Sequence, residues 1–341
     1  MHARQKLGTS ERRTCQVTGL ARSPASKAGF SLAGTRIWVA GHHGMVGSEI
    51  VRRLQSENCE PLHVDRAALD LRNQTNVFEW MQDSRPDAVF LAAAKVGGIL
   101  ANDTYPGQFL HDNLAIQTNV IEGARRSGVQ KLLFLGSSCV YPKFAPQPIP
   151  ENALLTGLLK PTNEWYAIAK ISGLKLAQAY RQEYGCDFIS AMPTNLYGPG
   201  YNFDLATSHV LPALIRKVYE AKQANEPSFE IWGSGRPLCE FMHVDDCADA
   251  LVFLMKHYSA ESHVNVGTNS EITILQLAEM ISYVVGFHGE IVRDKDKPDG
   301  TLRKLLDTTL LNTLGWKPRI ELREGIEQSY EWYLHQVVSA L

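Results

Sequence analysis

Long apolar runs and a large net charge are both missing from the 341-residue chain. No stretch approaches the ~18–20 consecutive apolar residues that a membrane-spanning helix needs, and the formal net charge is −2. A nearly neutral chain lacks the broad basic surface that binds nucleic acid or an anionic membrane. We therefore expect neither nucleic acid nor a membrane as a partner. The length and the apolar content of 44% are those of an ordinary globular enzyme.

Cysteine is scarce and scattered. The six thiols form no C-x-x-C pair and no Cys/His cluster with the spacing of a zinc site. This pattern argues against a disulfide framework and against a structural metal. We expect no bound metal, a reducing compartment and a cytoplasmic location.

Residues 1–34 differ in composition from the rest of the chain. They carry six basic residues against the single acid Glu11, with Ser, Thr, Gly and Ala between them. We interpret them as a disordered leader. A transit peptide, a tag remnant and a misplaced start codon all fit this composition.

Apolar strands alternate with helical patterns over the next 160 or so residues. The predicted strands are 36–40, 61–64, 88–94, 131–135 and 188–192, and the predicted helices are 48–56, 75–84, 107–127 and 166–184. Such alternation predicts an α/β fold with a doubly wound parallel sheet of Rossmann type. After Pro199 the alternation loosens, which favours a smaller C-terminal substrate lobe. We expect residues 35–198 to bind a dinucleotide and residues 199–341 to form mainly that lobe, with some segments returning to the first domain.

A glycine turn follows the first strand. Gly41, Gly44 and Gly47 have the G-x-x-G-x-x-G spacing and lead directly into a helix. This arrangement lets a pyrophosphate approach the backbone at a helix N-terminus. After the second strand comes Asp65, typical of NAD binding, followed by Arg66, typical of NADP binding. These two residues leave the choice of cofactor open.

Tyr166 and Lys170 are four residues apart, and on a helix they lie on one face. A nearby ammonium lowers the pKa of a phenol, so we expect Lys170 to make Tyr166 a usable acid and base. Ser137 follows a buried strand and is expected to reach the same cleft, where its hydroxyl can donate to a substrate oxygen.

Cys139 and His209 each have two interpretations. A thiol near a cation can have a lowered pKa and exchange protons, but a buried cysteine is more often inert packing. The His209 imidazole suits general acid/base work, although a lone helical histidine is usually structural. Together the two side chains can exchange protons on carbons beside a ketone, one from each side.

Further polar residues have less specific patterns. Asn113 and Asn119 lie on a predicted helix and either help to order the Lys170 ammonium or serve as caps or surface residues. In the segment His243-Val-Asp-Asp246 we interpret Asp245 or Asp246 as a helix N-cap. Trp232 can stack on a base or a sugar. Five cations lie in the second half of the chain, and only taken together do they suggest an anionic ligand there: Lys217, Arg236, Lys297, Arg303 and Lys304.

Taken together, these stretches resemble the extended short-chain dehydrogenase/reductases that act on nucleotide sugars. The resemblance covers residue 35 to the end. It rests on GHHGMVGS (41–48), LAAAKVGGI (91–99), LLFLGSSCVYP (132–142), KPTNEWYAIAK (160–170) and KPDGTLRKLLD (297–307). Within that group the chain is most similar to the 3,5-epimerase/4-reductases of GDP-4-keto-6-deoxy-D-mannose.

The resemblance implies roles for individual residues. Ser137, Tyr166 and Lys170 would be the reductase triad, and Cys139 and His209 the epimerase acid/base pair. Asn195, Lys217, Trp232 and Lys297 would bind the GDP-sugar. NADP(H) would be the cofactor, bound by Gly41, Gly44, Met45, Val46, Gly47, Arg66, Leu135, Lys170, Pro193, Leu196 and His209. The family is typically homodimeric, through the helices that carry the Asn and Y-x-x-x-K residues.

The chain departs from that family at two places. Cys239 stands where relatives commonly carry an arginine, and His43 stands where an arginine can hold a 2′-phosphate. Two other functions compete with the implied one: a different epimerase, dehydratase or reductase of nucleotide sugars, and a catalytically silent dinucleotide-binding sensor.

Overall fold

The computed structural model describes residues 29–205, 207–297 and 299–339. The first 28 residues of the predicted leader lie outside this part of the chain. The described strands are β1 (Arg36–Ala40), β2 (Glu60–Leu62), β3 (Ala88–Leu91), β4 (Lys131–Leu135), β5 (Asp187–Pro193), β6 (Asn195–Tyr197), β7 (Ser228–Trp232), β8 (Leu238–Cys239), β9 (Phe241–His243), β10 (Val264–Val266), β11 (Ile272–Thr273), β12 (Glu290–Asp294) and β13 (Arg303–Lys304).

The described α-helices are α1 (Met45–Leu54), α2 (Gln74–Ser84), α3 (Ile99–Thr104), α4 (Pro106–Arg126), α5 (Glu164–Tyr184), α6 (Val210–Gln223), α7 (Val244–His257), α8 (Ile274–Val285), α9 (Thr309–Leu314) and α10 (Leu322–Tyr333). Single 3-10 turns lie at Ser138–Val140, Glu151–Ala153 and Pro161–Asn163, and a π-helical segment at Leu334–Val338. None of the described helices combines the length and apolarity that a membrane crossing requires.

Six strands form the central sheet in the order β10-β5-β4-β3-β1-β2, and each neighbouring pair is parallel. Successive strand residues point to opposite faces. Ile37 and Val39 therefore join a core with α1 and α7, whereas Trp38 and Ala40 join a core with α2, α4 and α5. Helices cover both faces, so the predicted doubly wound parallel sheet is confirmed. The carboxyl ends of its strands share one edge, where such folds bind ligands.

A third core belongs to the smaller lobe. Ile215 of α6, Ile281 of α8 and Ile326 of α10 pack together with residues of β7. Beside them β12 pairs with β7, and β11, β8 and β13 form a three-stranded sheet. The predicted smaller lobe is therefore confirmed. The second half also contributes to the central sheet, because α7 covers one face and β10 pairs with β5.

The predicted strands lie within two residues of the observed ones except at β3, which ends at Leu91 instead of residue 94. The neighbouring β1 ends at Ala40, and Gly41 then turns with φ +92°. The Ala92 N–H still donates to the Ala40 carbonyl at 3.0 Å. Beyond this residue β1 offers no further partner, so the strand stops.

The start of α7 corrects another prediction. The N-cap is His243, whose Nδ1 accepts from the Asp245 N–H at 3.3 Å, and not one of the two aspartates. Asp245 instead pairs with Arg52 of α1. Asp246 accepts the N–H groups of Arg319 and Ile320 at 3.0 and 2.9 Å. Both carboxylates therefore fasten α7 to neighbouring segments.

Candidate active site

The glycine turn between β1 and α1 is built for close approach. A side chain at Gly47 would collide with the Gly41 carbonyl, and Gly41 itself adopts positive φ. The N-cap of α1, Gly44, makes no side-chain cap, and the first turn contains no acid. The first amides of α1 are therefore free of side-chain partners and favour an anion such as a pyrophosphate. This geometry fits a dinucleotide.

Other predicted cofactor residues lie along the same edge of the sheet. Met45 and Val46 form the first turn of α1, and a Cβ added to Gly200 would lie 3.7 Å from the Met45 Cα. Leu135 and Pro193 are the last residues of β4 and β5, and Leu196 lies on β6 just beyond. The structure thus places these residues along one edge, and their contacts with a cofactor stay a prediction.

Beyond the end of β2, Asp65 lies next to the two histidines of the glycine turn. His43 Nε2 lies 2.7 Å and His42 Nε2 3.4 Å from the Asp65 Oδ1 atom. The hydrogen bond from His43 is the main reason that the pKa of Asp65 is lowered. Arg66, next in the chain, is exposed.

The predicted triad is assembled at the end of β4. The Ser137 hydroxyl accepts the Cys139 N–H at 3.4 Å and hydrogen-bonds to the Tyr166 phenol. Lys170, one turn further along α5, donates from Nζ to the Leu135 carbonyl at 2.8 Å. Its Nζ lies 5.8 Å from the centre of the Tyr166 ring. One strand end and one helix therefore bring a hydroxyl, a phenol and an ammonium together.

Burial reverses the predicted effect of Lys170 on Tyr166. Burial raises the pKa of Tyr166 far above its usual value, the Cys139 thiol adds to this increase, and only the Ser137 hydrogen bond opposes it. The prediction that Lys170 lowers the pKa of the phenol is therefore wrong for the chain by itself. The same burial lowers the pKa of Lys170 to about 8. Tyr166 is a protonated acid at neutral pH, and the charge of Lys170 is near its titration point.

Cys139 also differs from expectation. Burial raises the pKa of its thiol, and the Ser137 hydroxyl and the ammonium groups of Lys304 and Lys170 offset part of the increase. The predicted lowering by a nearby cation is present, but burial outweighs it. A protonated thiol is thus the resting state.

His209 is the N-cap of α6, so the prediction that it opens a helix is confirmed. The loop before it is tied to the sheet edge, because the Gly98 N–H donates to the Thr207 carbonyl at 3.0 Å. The residue is exposed at the surface, although protein atoms lie around its ring. Burial, followed by the charge of Lys304, lowers its pKa. The histidine is therefore neutral at neutral pH.

Lys304 is the residue of this cleft that sequence reasoning undervalued. Its Nζ lies 3.3 Å from the Asn195 Oδ1 atom, and its charge acts on both Cys139 and His209. On β13 it lies opposite Cys239 of β8, where the Lys160 ammonium also acts. Two half-buried cations therefore act on the cysteine that replaces the expected arginine. Lys304 lies in the motif KPDGTLRKLLD, but the spacing of that motif does not show that its last lysine points into the protein.

Trp232, Lys217 and Lys297 form one cluster. The Nζ atoms of Lys217 and Lys297 lie 5.4 and 5.6 Å from the centre of the Trp232 ring, which is exposed. The loop that carries Lys297 is held by Asp299, which accepts the Ser234 N–H and hydroxyl at 2.8 Å each. An aromatic face flanked by two cations suits a base or sugar next to a phosphate. Asn195 is apart from this cluster, beside Lys304.

The two helix asparagines do not reach Lys170. Asn113 bonds to the backbone of Lys95 and Phe109, and Asn119 donates to the Leu71 carbonyl at 3.0 Å. Both side chains therefore anchor backbone segments, and a water-mediated role in ordering the ammonium stays a prediction. Polar links between α4 and α5 are instead made by Gln117, which donates to the Ala169 carbonyl at 2.6 Å, and by Tyr180, whose hydroxyl donates to Glu122 at 2.7 Å.

Comparison with known proteins agrees with this geometry. The profile of the NAD dependent epimerase/dehydratase family matches residues 37–267. The chain belongs to this family. The glycine turn, the strand-end serine and the Y-x-x-x-K helix all lie within the matched region.

Several relatives are much closer than the family as a whole. The chain is 59% identical over 308 residues to GDP-L-fucose synthase of Sinorhizobium fredii, covering 90% of this chain and 98% of that protein. It is 49% identical over 309 residues to GDP-L-fucose synthase of Escherichia coli, covering 88% and 96%. The resemblance inferred from the motifs is confirmed.

Solved structures agree with the fold and with the cofactor class. A GDP-L-fucose synthetase from Naegleria fowleri bound to NADP has a TM-score of 0.84 at 28% identity, covering 92% of this chain and 98% of that chain. A GDP-mannoheptose C4 reductase from Campylobacter jejuni with NADP bound has a TM-score of 0.81 at 35% identity, covering 88% and 98%.

Proposed function

We propose that the chain is an NADP(H)-dependent enzyme that converts GDP-4-keto-6-deoxy-D-mannose to GDP-L-fucose. It epimerises C3 and C5 and then reduces the C4 ketone. The single observation that carries this proposal is the cluster of Ser137, Cys139, Tyr166 and Lys170 at the end of β4. A simple 4-epimerase has no need of a proton-exchanging thiol beside the triad.

Epimerisation needs an acidic C–H bond and a proton carrier on each face of the sugar. The C4 ketone acidifies the hydrogens at C3 and C5, and Tyr166 and Ser137 hydrogen-bond to the enolate oxygen as it forms. Cys139 and His209 then act as a pair: one removes the proton from carbon and the other delivers a proton to the opposite face. Lys304, which acts on both side chains, provides the positive charge that favours a transient thiolate.

Reduction uses the same phenol. When it is bound, the nicotinamide supplies the hydride, and the protein supplies orientation and charge. Tyr166 donates its proton to the C4 oxygen, because burial keeps the phenol protonated. Lys170, held on the Leu135 carbonyl, provides the charge beside the phenol and binds the nicotinamide ribose.

The remaining predicted residues bind the two nucleotides. The glycine turn with Met45 and Val46, Arg66, the strand-end residues Leu135, Pro193 and Leu196, and His209 contact the cofactor. Lys217, Trp232 and Lys297 hold the GDP part of the substrate, and Asn195 lies near the sugar. Residues 35–198 supply most of the cofactor site and residues 199–341 most of the substrate site.

We also propose a cytoplasmic homodimer. Its interface is formed by α4 and α5, at whose ends Trp165 and Tyr184 expose large aromatic surfaces. The cytoplasmic location is supported by the scattered cysteines, which are free thiols within the described part of the chain. Sedimentation velocity of the purified chain tests the dimer.

The assay that tests the function follows nicotinamide absorbance with NADPH and GDP-4-keto-6-deoxy-D-mannose, with product identity read by NMR. We expect oxidation of NADPH and formation of GDP-L-fucose. Formation of another sugar would favour a different nucleotide-sugar reductase. Binding of NADPH without turnover of any keto-sugar would favour the dinucleotide-binding sensor.

A further inference from the structure

Three imidazoles and a carboxylate gather where the adenosine ribose of a dinucleotide lies in folds of this kind. Asp65 accepts a hydrogen bond from His43 at 2.7 Å, and His42 Nε2 lies 3.4 Å from the same carboxylate oxygen. The rings of His42 and His43 stack with centres 4.0 Å apart, and His63 lies 5.2 Å from His42. One ring nitrogen of His42, one ring nitrogen of His43 and one carboxylate oxygen of Asp65 all lie within 4.8 Å of one another.

The net charge of this cluster changes with protonation. An acid at the end of the second strand accepts the ribose 2′-hydroxyl of NAD, whereas a nearby arginine accommodates the 2′-phosphate of NADP. Here Asp65 and Arg66 are adjacent, so their charges cancel while the imidazoles are neutral. Each proton taken up by His42 or His43 adds one positive charge. The added positive charge then attracts the 2′-phosphate and offsets the negative charge of Asp65.

We propose that the His42–His43–Asp65–Arg66 cluster makes the choice between NADPH and NADH depend on pH, with NADPH favoured at the acidic end. This inference rests on the proposed dinucleotide binding. Position 43 has an imidazole where an arginine would carry a permanent charge, and Asp65 adds an acceptor for the unphosphorylated ribose. NADH is accepted at alkaline pH for this reason.

In the unliganded protein the surroundings of His42 oppose its protonation, so the bound phosphate is what drives the proton uptake. His42 faces His43, His63 and Asp65, and its pKa is lowered by burial first and then by the two histidines. The pKa of Asp65 is lowered by His43, so the carboxylate stays ionised near neutral pH. The imidazoles therefore carry the titration. A phosphate dianion placed beside them raises their proton affinity, so NADPH binding takes up protons.

The experiment measures dissociation constants for NADPH and NADH by nicotinamide fluorescence, from about pH 8.5 to about pH 6.5. The range stops above the second pKa of a phosphate ester, near ~6. We expect the ratio of the NADH constant to the NADPH constant to rise about tenfold as the pH falls, the size of one charge interaction near a protein surface. Calorimetry in two buffers with different ionisation enthalpies should show proton uptake with NADPH and none with NADH.

Variants locate the effect. The double variant His42→Gln/His43→Gln should lose the pH dependence, and Asp65→Asn should weaken NADH binding while strengthening NADPH binding across the range. His288→Gln changes an exposed histidine of the smaller lobe and should behave as the parent. If the ratio of the two dissociation constants does not change with pH in the parent, or changes equally in the double variant, the inference is wrong but the proposed function is not affected. Failure to bind either dinucleotide overturns the proposed function as well.

Discussion

The acid strength of the Tyr166 phenol depends on how deeply it is buried, more than on its cationic neighbour. Lys170 is 3% exposed and donates to a backbone carbonyl, and burial lowers its pKa to about 8. A phenol that stays protonated is ready to donate to a ketone, which is the direction that reduction requires. The ammonium is the member of the pair whose charge changes near physiological pH.

The lowered pKa of Lys170 predicts that activity falls at alkaline pH. The free enzyme loses the Lys170 charge as the pH rises through about 8, and kcat/KM reports groups of the free enzyme. We expect kcat/KM for reduction to fall about tenfold per pH unit above that point. Lys175→Met, which removes an exposed lysine from the same helix, should leave the profile unchanged. A profile that stays flat to about pH 9.5 would show that this ammonium is not required.

The thiol of Cys139 can be tested separately from the triad. Cys139→Ser should reduce epimerisation by about 10²–10⁴-fold, the usual contribution of one acid/base group, while NADPH binding stays unchanged. Solvent deuterium incorporation at C3 and C5 measures proton exchange, and fluorescence measures cofactor affinity. Cys186→Ser, at the residue just before β5, serves as the matched control. Normal conversion to the fucose product by the Cys139 variant would mean that the thiol is only packing.

At the residue scale, the spacing of a motif predicts which residues form the site better than it predicts what surrounds each of them. The serine, tyrosine and lysine of the triad are visible in the sequence because the strand end and the helix each carry a short pattern. The inward position of Lys304 and the roles of Asp245 and Asp246 depend on partners distant in the chain. Glu240, fully buried and accepting the N–H groups of Thr268, Asn269 and Leu306, has no local signature at all.

At the element scale, the position of Tyr166 depends on how closely α4 and α5 pack. Gln117 of α4 bonds to the Ala169 carbonyl of α5 at 2.6 Å. A Cβ at Gly173 would lie 2.5 Å from Phe134 Cζ and 2.6 Å from Gln117 Oε1. The glycine therefore sets the separation between α5, the adjacent strand and α4.

Gly173→Ala should destabilise the protein despite the better helix propensity of alanine. Overpacking a well-filled core costs about 1–3 kcal/mol, and we expect a loss of that size in urea unfolding. Gly107→Ala is the matched control, because Gly107 lies in α4 and a Cβ there has nothing within 4 Å. The control should be neutral or gain up to ~1 kcal/mol. Equal stability of the Gly173 variant and the parent would mean that α5 can shift without cost.

The order of elements is more predictable than their ends. Buried parallel strands are apolar throughout, and the observed β1 and β4 coincide with the predicted ranges for that reason. The end of β3 could not be predicted, since it depends on where its neighbour β1 turns away. Nor could the three-residue β10 be found from a pattern, because it is too short to show periodicity.

At the scale of the whole molecule, the two halves of the chain share one core. Leu251, Leu254 and Met255 of α7 pack against the central sheet together with residues of β1 and β4. β10 covers the edge of β5, pairing Val264 with Ala191. The Lys131 ammonium, 2% exposed, donates to the Tyr258 carbonyl at 2.6 Å beyond α7. The boundary predicted near residue 198 therefore cuts through a core that both halves share.

A fragment that ends at residue 198 tests this shared core. It keeps the glycine turn and the triad but loses α7 and β10, which uncovers the part of one sheet face beside α1 and the β5 edge. We expect it to aggregate or to lack fixed tertiary structure, because large apolar faces and unpaired edges favour association. Near-UV circular dichroism and NADPH fluorescence would measure this, with residues 29–341 as the control. A monomeric fragment that binds NADPH with the affinity of the control would show that the first domain folds independently of α7 and β10.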